Sequence, residues 1–515
     1  MEKRITGRQI IVIITVISAS VLEIIDATIV NIAIPDLMGN LGATITEVGW
    51  VITSYAAANI VMIALAAWMG SKLGRRNYFV LSIAVFTIGS LLCGLSENIW
   101  SLVFFRFIQG MGGGALIATA QAIIVETFPK ERLNFANSLF GMGIVFGPAI
   151  GPLLGGYILN EISWHWIFYI NIPFGIAATI LSWLFIPEPK EKEAIGKMDW
   201  FGLILLIAGF GSLLTVLENG EEAGWWHATY IKILTLVAIL GTLFFVLRQS
   251  KASKPIVNLQ VVKNVYFSLG IIINFIVSTG MAAMFLILPL FAQNLLGMTP
   301  LQTGLIILPG VIVIIIAMPF IGRLPQKWWQ LLLYMFIGFV LVITYNLWMV
   351  HFSPDSSRES FFLPVVLRGL GISVLFIPLA TISLVDLKGK QIPEGTGVYN
   401  MVRKIGNSLG VALTTNFIAH RIDFHENILS GSITNSDIGT QHFKEQLIYY
   451  LKYSGIDLSS IPAIVQLELS NNLTRQAFLL GYLDTFMLTA VFFAICIPFL
   501  FIFFIVRKFR KEVPS

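Results

Sequence analysis

Two acidic residues lie inside an apolar segment near the N-terminus. The segment Ile10 to Ile34 is almost wholly apolar, and within it residues 23–31 read EIIDATIVN. An ionised carboxylate at mid-membrane costs about 2.5 to 3.5 kcal/mol and rarely faces lipid. Because Glu23 and Asp26 are three residues apart, they share one face of a helix. That face is predicted to point at protein or water.

An arginine in the fourth apolar run lies at a compatible depth. Counted at 1.5 Å per residue from the outer ends of their runs, Asp26 lies about 12 Å deep, Glu23 about 16 Å and Arg106 about 10 Å. Burial and a neighbouring like charge favour protonation of a carboxylate, whereas an arginine opposes it. We therefore predict that Asp26 is the chief proton-coupling carboxylate, Glu23 an additional proton or cation site, and Arg106 their modulator. The alternative is a fixed structural pair of Asp26 and Arg106, with Glu23 bonded to a neighbouring helix.

The composition indicates an integral membrane protein. Of the 515 residues, 56% are hydrophobic and only 12% are charged, roughly half the charged fraction of a soluble domain. Apolar runs of about 20 residues recur, which is the length that an α-helix needs to cross a bilayer. The predicted fold class is all-α, with fourteen spans starting near residues 10, 46, 77, 99, 136, 165, 200, 229, 267, 302, 329, 360, 394 and 480.

The distribution of charge sets the orientation and argues against nucleic-acid binding. Most basic residues fall in the connections of one side, so the positive-inside rule puts both termini in the cytoplasm. The net charge of +5 does not indicate nucleic acid, because lysine and arginine gather at helix ends rather than on one face. The outer connection 421–479 is unusually long, and the helical spacing of Phe443, Leu447, Ile448 and Leu451 predicts a small helical protrusion there.

No enzyme is predicted. The sequence has no GxxxxGK[ST] nucleotide loop, no Ser/His/Asp set and no metal-ligand spacing, and Cys93 and Cys496 lie in separate runs. We therefore expect no cofactor and no metal, with an ion gradient, most simply protons, as the energy source.

The chain contains an internal repeat. FFRFIQGMGGGALIATA in the fourth run is answered about 250 residues later by VVLRGLGISVLFIPLAT, and Arg368 then corresponds to Arg106. We expect a six-helix bundle at 1–190, two inserted helices at 191–255, and a second six-helix bundle at 256–515 that includes the loop 421–479. Repeats of this kind are typical of secondary transporters.

Several motifs in order resemble the major facilitator superfamily, specifically the fourteen-span drug:proton antiporters of the EmrB/QacA type, most closely the EmrB branch. The resemblance covers the first 190 residues densely and the rest more thinly. It includes IIDATIVNIAIPDL, WVITSYAAANI and WHWIFYINIPFG. The remaining motif residues are Lys72, Gly74, Arg75 and Arg76 of a cytoplasmic gate motif, Arg106, Gln109, Gly110 and Gly112 of RxxQGxG, and Gly147, Pro148, Gly151, Pro152, Gly155 and Gly156 of the antiporter motif.

Some of these motif residues suggest roles in gating and packing. Ala67 and Ser71 replace the usual glycine and aspartate of the gate motif, which weakens the charge latch implied there. The antiporter-motif glycines recur every four residues and allow close helix packing, and the prolines should bend the helix. A bent helix between the halves would limit leakage, and simple packing is the alternative. The candidates for lining a substrate cavity are Asn31, Trp50, Ser54, Tyr55, Asn59, Gln109 and Arg368.

The resemblance implies a proton-coupled multidrug efflux antiporter of the bacterial inner membrane. Its substrates would be small hydrophobic or amphipathic compounds. Its implied partners are a periplasmic membrane-fusion adaptor (EmrA-like) and an outer-membrane channel, as parts of a tripartite pump. An alternative on the same fold is an exporter of fatty acids, bile-salt-like anions or lipids, which would favour an unpaired Arg106 or Arg368.

Overall fold

The protein is described from a computed structural model that is helical throughout its described part. The described residues are 6–30, 32–187, 198–220, 223–252, 255–325, 327–384, 386–387, 391–432, 438–453 and 461–510. Within these ranges there is no β-strand. The all-α fold class predicted from composition is confirmed.

Eighteen α-helices follow one another within the described ranges. They are α1 (Gly7–Ile29), α2 (Ile34–Leu41), α3 (Ile45–Leu73), α4 (Arg75–Gly94), α5 (Ile99–Thr127), α6 (Lys130–Glu161), α7 (Trp166–Tyr169), α8 (Asn171–Phe185), α9 (Trp200–Leu206), α10 (Ser212–Asn219), α11 (Thr229–Lys251), α12 (Val265–Leu290), α13 (Pro300–Ile321), α14 (Trp328–Met349), α15 (Phe362–Leu384), α16 (Gln391–Ser432), α17 (Ile438–Tyr453) and α18 (Ile461–Arg510). A π-helical turn, Ile207–Gly211, joins α9 to α10, and another, Phe291–Leu295, extends α12.

The helices account for most of the predicted spans. Among the described residues, 12 segments are long and apolar enough to cross a membrane, and the bent helix α6 brings the number to 13. The bend in α6 is 41°, between Phe135–Pro148 and Leu153–Glu161, where the two motif prolines predicted it. The helix α16 is long but less apolar, so fourteen spans remain a prediction that this arrangement fits.

Polar caps explain where several spans begin. The side chains of Thr6, Thr44, Asn98 and Thr299 each accept a hydrogen bond from a backbone N–H of the helix that follows. The backbone N–H of each cap residue also donates to the side chain three residues later, which completes a capping box and satisfies N–H groups that the helix itself leaves free. These polar residues end the apolar runs at the level where water becomes available.

The outward faces of the helices suit lipid. In α11, for example, Leu236, Ile239 and Leu243 are all about half exposed or more. Contiguous exposed apolar surface of this kind is unstable in water, whereas it is expected in contact with acyl chains.

Helix packing repeats in two six-helix bundles. In the first, α5 packs against α3 and α4, and α1 packs against α6; in the second, α15 packs against α13 and α14, and α12 packs against α16. The helix α15 therefore has the place in the second bundle that α5 has in the first. The internal repeat read from the sequence corresponds to this repeated packing.

Besides smaller contacts of α6 with α15 and of α5 with α16, the two bundles meet along two main helix pairs. These pairs are α6 with α13 and α3 with α16. The inserted helices α9, α10 and α11 pack on one another, and α10 contacts both α3 and α16. These helices form two candidate spans, α9 with α10 and α11 alone, which are called the inserted pair below. The inserted pair therefore lies beside the junction of the bundles.

The long outer connection is mostly a continuation of the last two membrane helices. With 42 and 50 residues, α16 and α18 are about 63 and 75 Å long, well over the length of one span. The predicted amphipathic stretch is helix α17, and it packs on α18 through a small cluster of Leu447, Ile448, Leu451, Ile461, Ile464 and Val465. Where the predicted outer connection begins, Arg421 Nε of α16 donates to Asp484 Oδ2 of α18 over 2.6 Å. The protrusion is thus built on continuous extensions of α16 and α18.

The inserted pair is held by an aspartate at one end. Asp199 caps α9 by accepting a hydrogen bond from Gly202 N at 3.0 Å, and it pairs with Arg248 of α11 at 2.6 Å. Burial opposes ionisation of Asp199, but the bonds from Arg248, Gly202 and Gln249 outweigh it and lower the pKa of the carboxyl. A lowered carboxyl pKa adds stability above the unfolded value of about 3.9, and this stability is lost as pH falls through the folded pKa.

We expect Asp199→Asn to lower the thermal unfolding midpoint of the purified protein at pH 7, by a difference that shrinks below about pH 4. The loss should be modest, about 0.2 to 1 kcal/mol, because Arg248 is 42% exposed. Asp199→Ala should cost about 1 kcal/mol more, since it also removes the cap. The exposed Asp355→Asn is the control. A difference that grows on acidification would contradict the assignment.

Candidate functional site

Close contact between α3 and α5 makes the site possible. A β-carbon on Gly110 would lie 2.5 Å from the backbone oxygen of Tyr55, and one on Gly114 would lie 2.2 Å from that of Asn59. Only glycine permits this approach. It brings polar side chains of α3 and α5 next to the two acidic residues of α1. The motif glycines of α5 therefore position the polar residues around them.

Asp26 of α1 is at the centre of a buried polar cluster. Its side chain is fully buried, and Oδ2 accepts from Arg106 Nη1 at 2.6 Å. Oδ1 accepts from Gln109 Nε2 and from Asn171 Nδ2, both at 2.8 Å. Both carboxylate oxygens thus have partners inside the first bundle, away from lipid.

Arg106 is held on several sides. Besides Asp26, it donates to Gln109 Oε1 at 2.8 Å and, more weakly, from Nε to Val51 O at 3.4 Å. Its guanidinium carbon lies 4.0 Å from the centre of the Tyr55 ring. The charge is therefore neutralised and stacked on an aromatic face, an arrangement typical of buried arginine.

Two members of the cluster were not predicted from sequence. Asn171, at the start of α8, also donates to Ser90 Oγ of α4 at 3.0 Å. The quoted stretch WHWIFYINIPFG contains Asn171, and an amide in so apolar a segment was the available signal. The two residues tie α4 and α8 to the acid of α1.

Glu23 lies in a different setting from Asp26. It is 4% exposed, and its Oε1 accepts from Asn59 Nδ2 at 2.9 Å. It also interacts electrostatically with Lys404 and Arg403 of α16, in the second bundle. The two acids thus share a helix but face different partners, Asp26 inside its own bundle and Glu23 toward the other.

The predicted cavity residues separate into three groups. Tyr55, Asn59 and Gln109 belong to the acid cluster described above. Ser54 donates to Val103 O at 3.1 Å and so joins α3 to α5, while Trp50 is half-buried on α3. Asn31 lies outside the described residues. Arg368 is far along the chain in α15, separate from the others.

A small cavity lies between the two bundles. Helices α5 and α6 contribute Gln121, Asn137, Phe140 and Ile144, and α15 and α16 contribute Phe376, Ile377, Ala380, Tyr399 and Arg403. Gln121 Oε1 accepts from Asn400 Nδ2 of the opposite bundle at 3.1 Å. The lining mixes aromatic, aliphatic and amide groups with one arginine.

The cytoplasmic gate motif connects α3, α4 and α5. Arg75 forms an ion pair with Glu126, Arg76 lies over the Trp183 ring at 4.9 Å, and Lys72 over that of Trp68 at 4.6 Å. Gly74 has φ = 83° between α3 and α4, a conformation that favours glycine. Arg75 therefore has an acidic partner on α5, although the motif's usual aspartate is replaced by Ser71.

The antiporter motif packs within the first bundle. Added β-carbons on Gly147, Gly151 and Gly155 would all meet α1 within 3 Å. The glycine face of α6 therefore contacts α1, whereas its contact with the other bundle uses other positions, such as Leu153 against Gly304. Gly156 is buried and Pro148 half-buried, and the side chain of Pro152 is outside the described set.

The described residues contain no group of three or more His, Cys, Asp or Glu suited to a metal ion. Two six-helix bundles with a buried acid–arginine cluster and a cavity at their junction define the class of protein, a secondary membrane transporter.

Comparison with known proteins identifies the family. Residues 16–411 match the model of the Major Facilitator Superfamily, and the chain belongs to this family. It is 30% identical to the multidrug export protein EmrB of Haemophilus influenzae, over 95% of this chain and 94% of that protein. It is 31% identical to the fatty acid resistance protein FarB of Neisseria gonorrhoeae, over 93% and 92%. The fold also resembles the human organic anion transporter MFSD10 (TETRAN), with a TM-score of 0.59, 11% identity and coverage of 95% and 100%.

Proposed function

We propose that this protein is a proton-coupled exporter of hydrophobic or amphipathic compounds. The observation that carries the proposal is the fully buried Asp26, paired with Arg106 and capped by two amides. In this arrangement the positive charge of Arg106 neutralises the negative charge of Asp26. Protonation of Asp26 removes the attraction that holds Arg106, so proton uptake and rearrangement of α1 against α5 are linked.

Glu23 provides the connection from this cluster to the second bundle. Its interaction with Lys404 and Arg403 crosses the junction, and Arg403 also lines the cavity there. A substrate entering the cavity changes the electrostatic surroundings of Glu23, and loss of the charge on Glu23 weakens the contact between bundles. Proton and substrate thereby act on one junction, as antiport requires.

The lining of the cavity has the mixed chemistry that amphipathic substrates need, and this small cavity must widen to admit one. Phe140, Ile144 and Phe376 offer apolar contacts, while Gln121 and Asn137 offer hydrogen bonds. Mixed linings with few polar groups are usual for sites of small hydrophobic ligands. A second candidate cargo is a fatty acid or bile-salt-like anion, which the likeness to FarB and the unpaired Arg368 favour.

Location and partners follow from the relatives and the outer helices. We place the protein in a bacterial inner membrane, with both termini in the cytoplasm. We further propose that the protrusion of α16, α17 and α18 contacts a periplasmic adaptor, which leads to an outer-membrane channel. On α17, Tyr449, Tyr450 and Tyr453 are each at least 65% exposed, and exposed aromatic residues are common in protein interfaces.

The test is transport by the purified protein in proteoliposomes with an imposed pH gradient. We expect dodecyltrimethylammonium to be carried against the direction of proton flow, and collapse of the gradient to stop net accumulation. Dodecanoate is measured in parallel to test the alternative cargo. Equal accumulation with and without the gradient would contradict proton coupling, and no movement of either compound would contradict the export function.

A further inference from the structure

Arg368 is a buried cation that has no counter-ion among the described residues. It lies in α15, six residues after the helix begins at Phe362, and it is 3% exposed. Its Nε and Nη1 atoms have no hydrogen-bond partner among the described residues. No described carboxylate forms an ion pair with it. A guanidinium in such a place is costly unless something neutralises it.

Arg368 differs from Arg106 in its lack of a described acidic partner. The two arginines occupy equivalent helices, α5 and α15, in the two bundles. Arg106 has Asp26 at 2.6 Å, whereas Arg368 has two aromatic rings, Phe285 of α12 and Tyr345 of α14, at 5.8 and 5.7 Å. Rings at this distance stabilise a cation only weakly compared with a carboxylate. In its described part, the second bundle thus has the arginine without an acidic partner.

We propose that Arg368 binds the acidic head group of a lipophilic carboxylate, with Phe285 and Tyr345 beside it. The inference rests on the proposed export function and specifies one substrate class for it. A carboxylate fits the fork of guanidinium donors in a bidentate way, and Nε and Nη1 form no hydrogen bond to a described protein group. Arg106 is unsuited to this task, because its charge is already neutralised by Asp26 and its Nη1 donates to both Asp26 and Gln109.

The side chains around Arg368 are apolar and aromatic, as an acyl tail requires, and these buried rings must move apart to admit one. Toward the outer end of the bundle, the Phe291 ring lies about 6 Å from each of three other rings, those of Phe361, Tyr482 and Phe486. Phe291 also begins the π-helical turn at the end of α12, a distortion that often marks functional positions. Phe285 is only half-buried. Rotation of its ring, rather than movement of the backbone, is the simplest route to Arg368.

The experiment measures binding of dodecanoate to the full-length protein in nanodiscs without a proton gradient. We expect Arg368→Met to raise the Kd for dodecanoate about tenfold or more, because the substitution removes a charge-assisted contact with the carboxylate. Arg368→Lys should restore part of the affinity. The methyl ester of dodecanoate, which has the same chain and no charge, should bind equally to the wild-type protein and to Arg368→Met.

The controls separate folding, general charge and ion type. Without ligand, Arg368→Met should unfold at or above the wild-type temperature, because it removes an uncompensated charge. Arg421→Met removes an arginine that is already paired with Asp484, and it should leave dodecanoate binding unchanged. Displacement of dodecanoate is also measured in sodium chloride and in sodium gluconate at the same ionic strength. This comparison tests whether Arg368 is a site for a small anion.

Two results would overturn the inference. One is an equal Kd for dodecanoate in the wild-type protein and in Arg368→Met, and the other is displacement of dodecanoate by chloride but not by gluconate, which would indicate a halide site. Either result leaves the proposed function standing, provided that gradient-driven transport of dodecyltrimethylammonium is observed.

Discussion

Replacing Asp26 with asparagine is expected to abolish proton-driven efflux. The new amide oxygen can still accept from Gln109 and Asn171, but the amide nitrogen would then face Arg106 where Oδ2 is now found 2.6 Å away. The site would lose both its exchangeable proton and the partner of a buried charge. Efflux is measured in proteoliposomes with an imposed pH gradient and corrected for inserted protein.

The same substitution is also expected to destabilise the protein. Removing one member of a buried ion pair typically costs about 3 to 5 kcal/mol, because the other charge is left unmatched. The double variant Asp26→Asn/Arg106→Gln removes both charges and should recover folded protein without recovering coupling. Asp36→Asn, an acid of the outer helix α2, is the matched control. Undiminished gradient-driven efflux by correctly folded Asp26→Asn would refute the role of Asp26.

A large structural effect is expected from Gly114→Ala. The added methyl group would lie 2.2 Å from the backbone oxygen of Asn59 and 2.7 Å from its Cα. The helices α3 and α5 would have to separate, at a cost of about 1 to 3 kcal/mol or more. The thermal unfolding midpoint should fall, and the bond from Asn59 to Glu23 should be disturbed.

Gly397→Ala is the matched control for this substitution. Nothing lies within 4 Å of an added β-carbon at Gly397, which is also in a helix. There the methyl group should stabilise the protein slightly, by about 0.5 to 1 kcal/mol, because alanine favours the helix. If the two alanine variants unfold at the same temperature, close contact at Gly114 does not determine the packing of α3 on α5.

The sequence was most informative along single helices. The 1.5 Å rise per residue correctly put Asp26 and Arg106 at similar depths, and their spacing from helix ends required no knowledge of neighbours. The helical pattern in residues 443–451 likewise predicted α17. Properties that depend on one helix and its ends were therefore accessible from sequence.

Contacts between helices were much less accessible. Nothing in the local pattern indicates that Asn171 of α8 reaches Asp26, or that Glu23 faces Lys404 of α16. The glycine face of α6 shows the same limit, because spacing indicates that a close partner exists but not that the partner is α1. The polar sequence of the outer connection also hid the length of α16 and α18, since helices in water lack the apolar run that identifies a span.

The length of α16 and α18 has a mechanical consequence. Each helix runs unbroken from within the second bundle into the protrusion, and Asp484 of α18 accepts a hydrogen bond from Arg421 of α16. A tilt of that bundle therefore also moves the protrusion. A small change in angle within the bundle becomes a larger displacement at the far end of the two helices. A partner bound to α17 would therefore be displaced in each transport cycle, because α17 packs directly on α18.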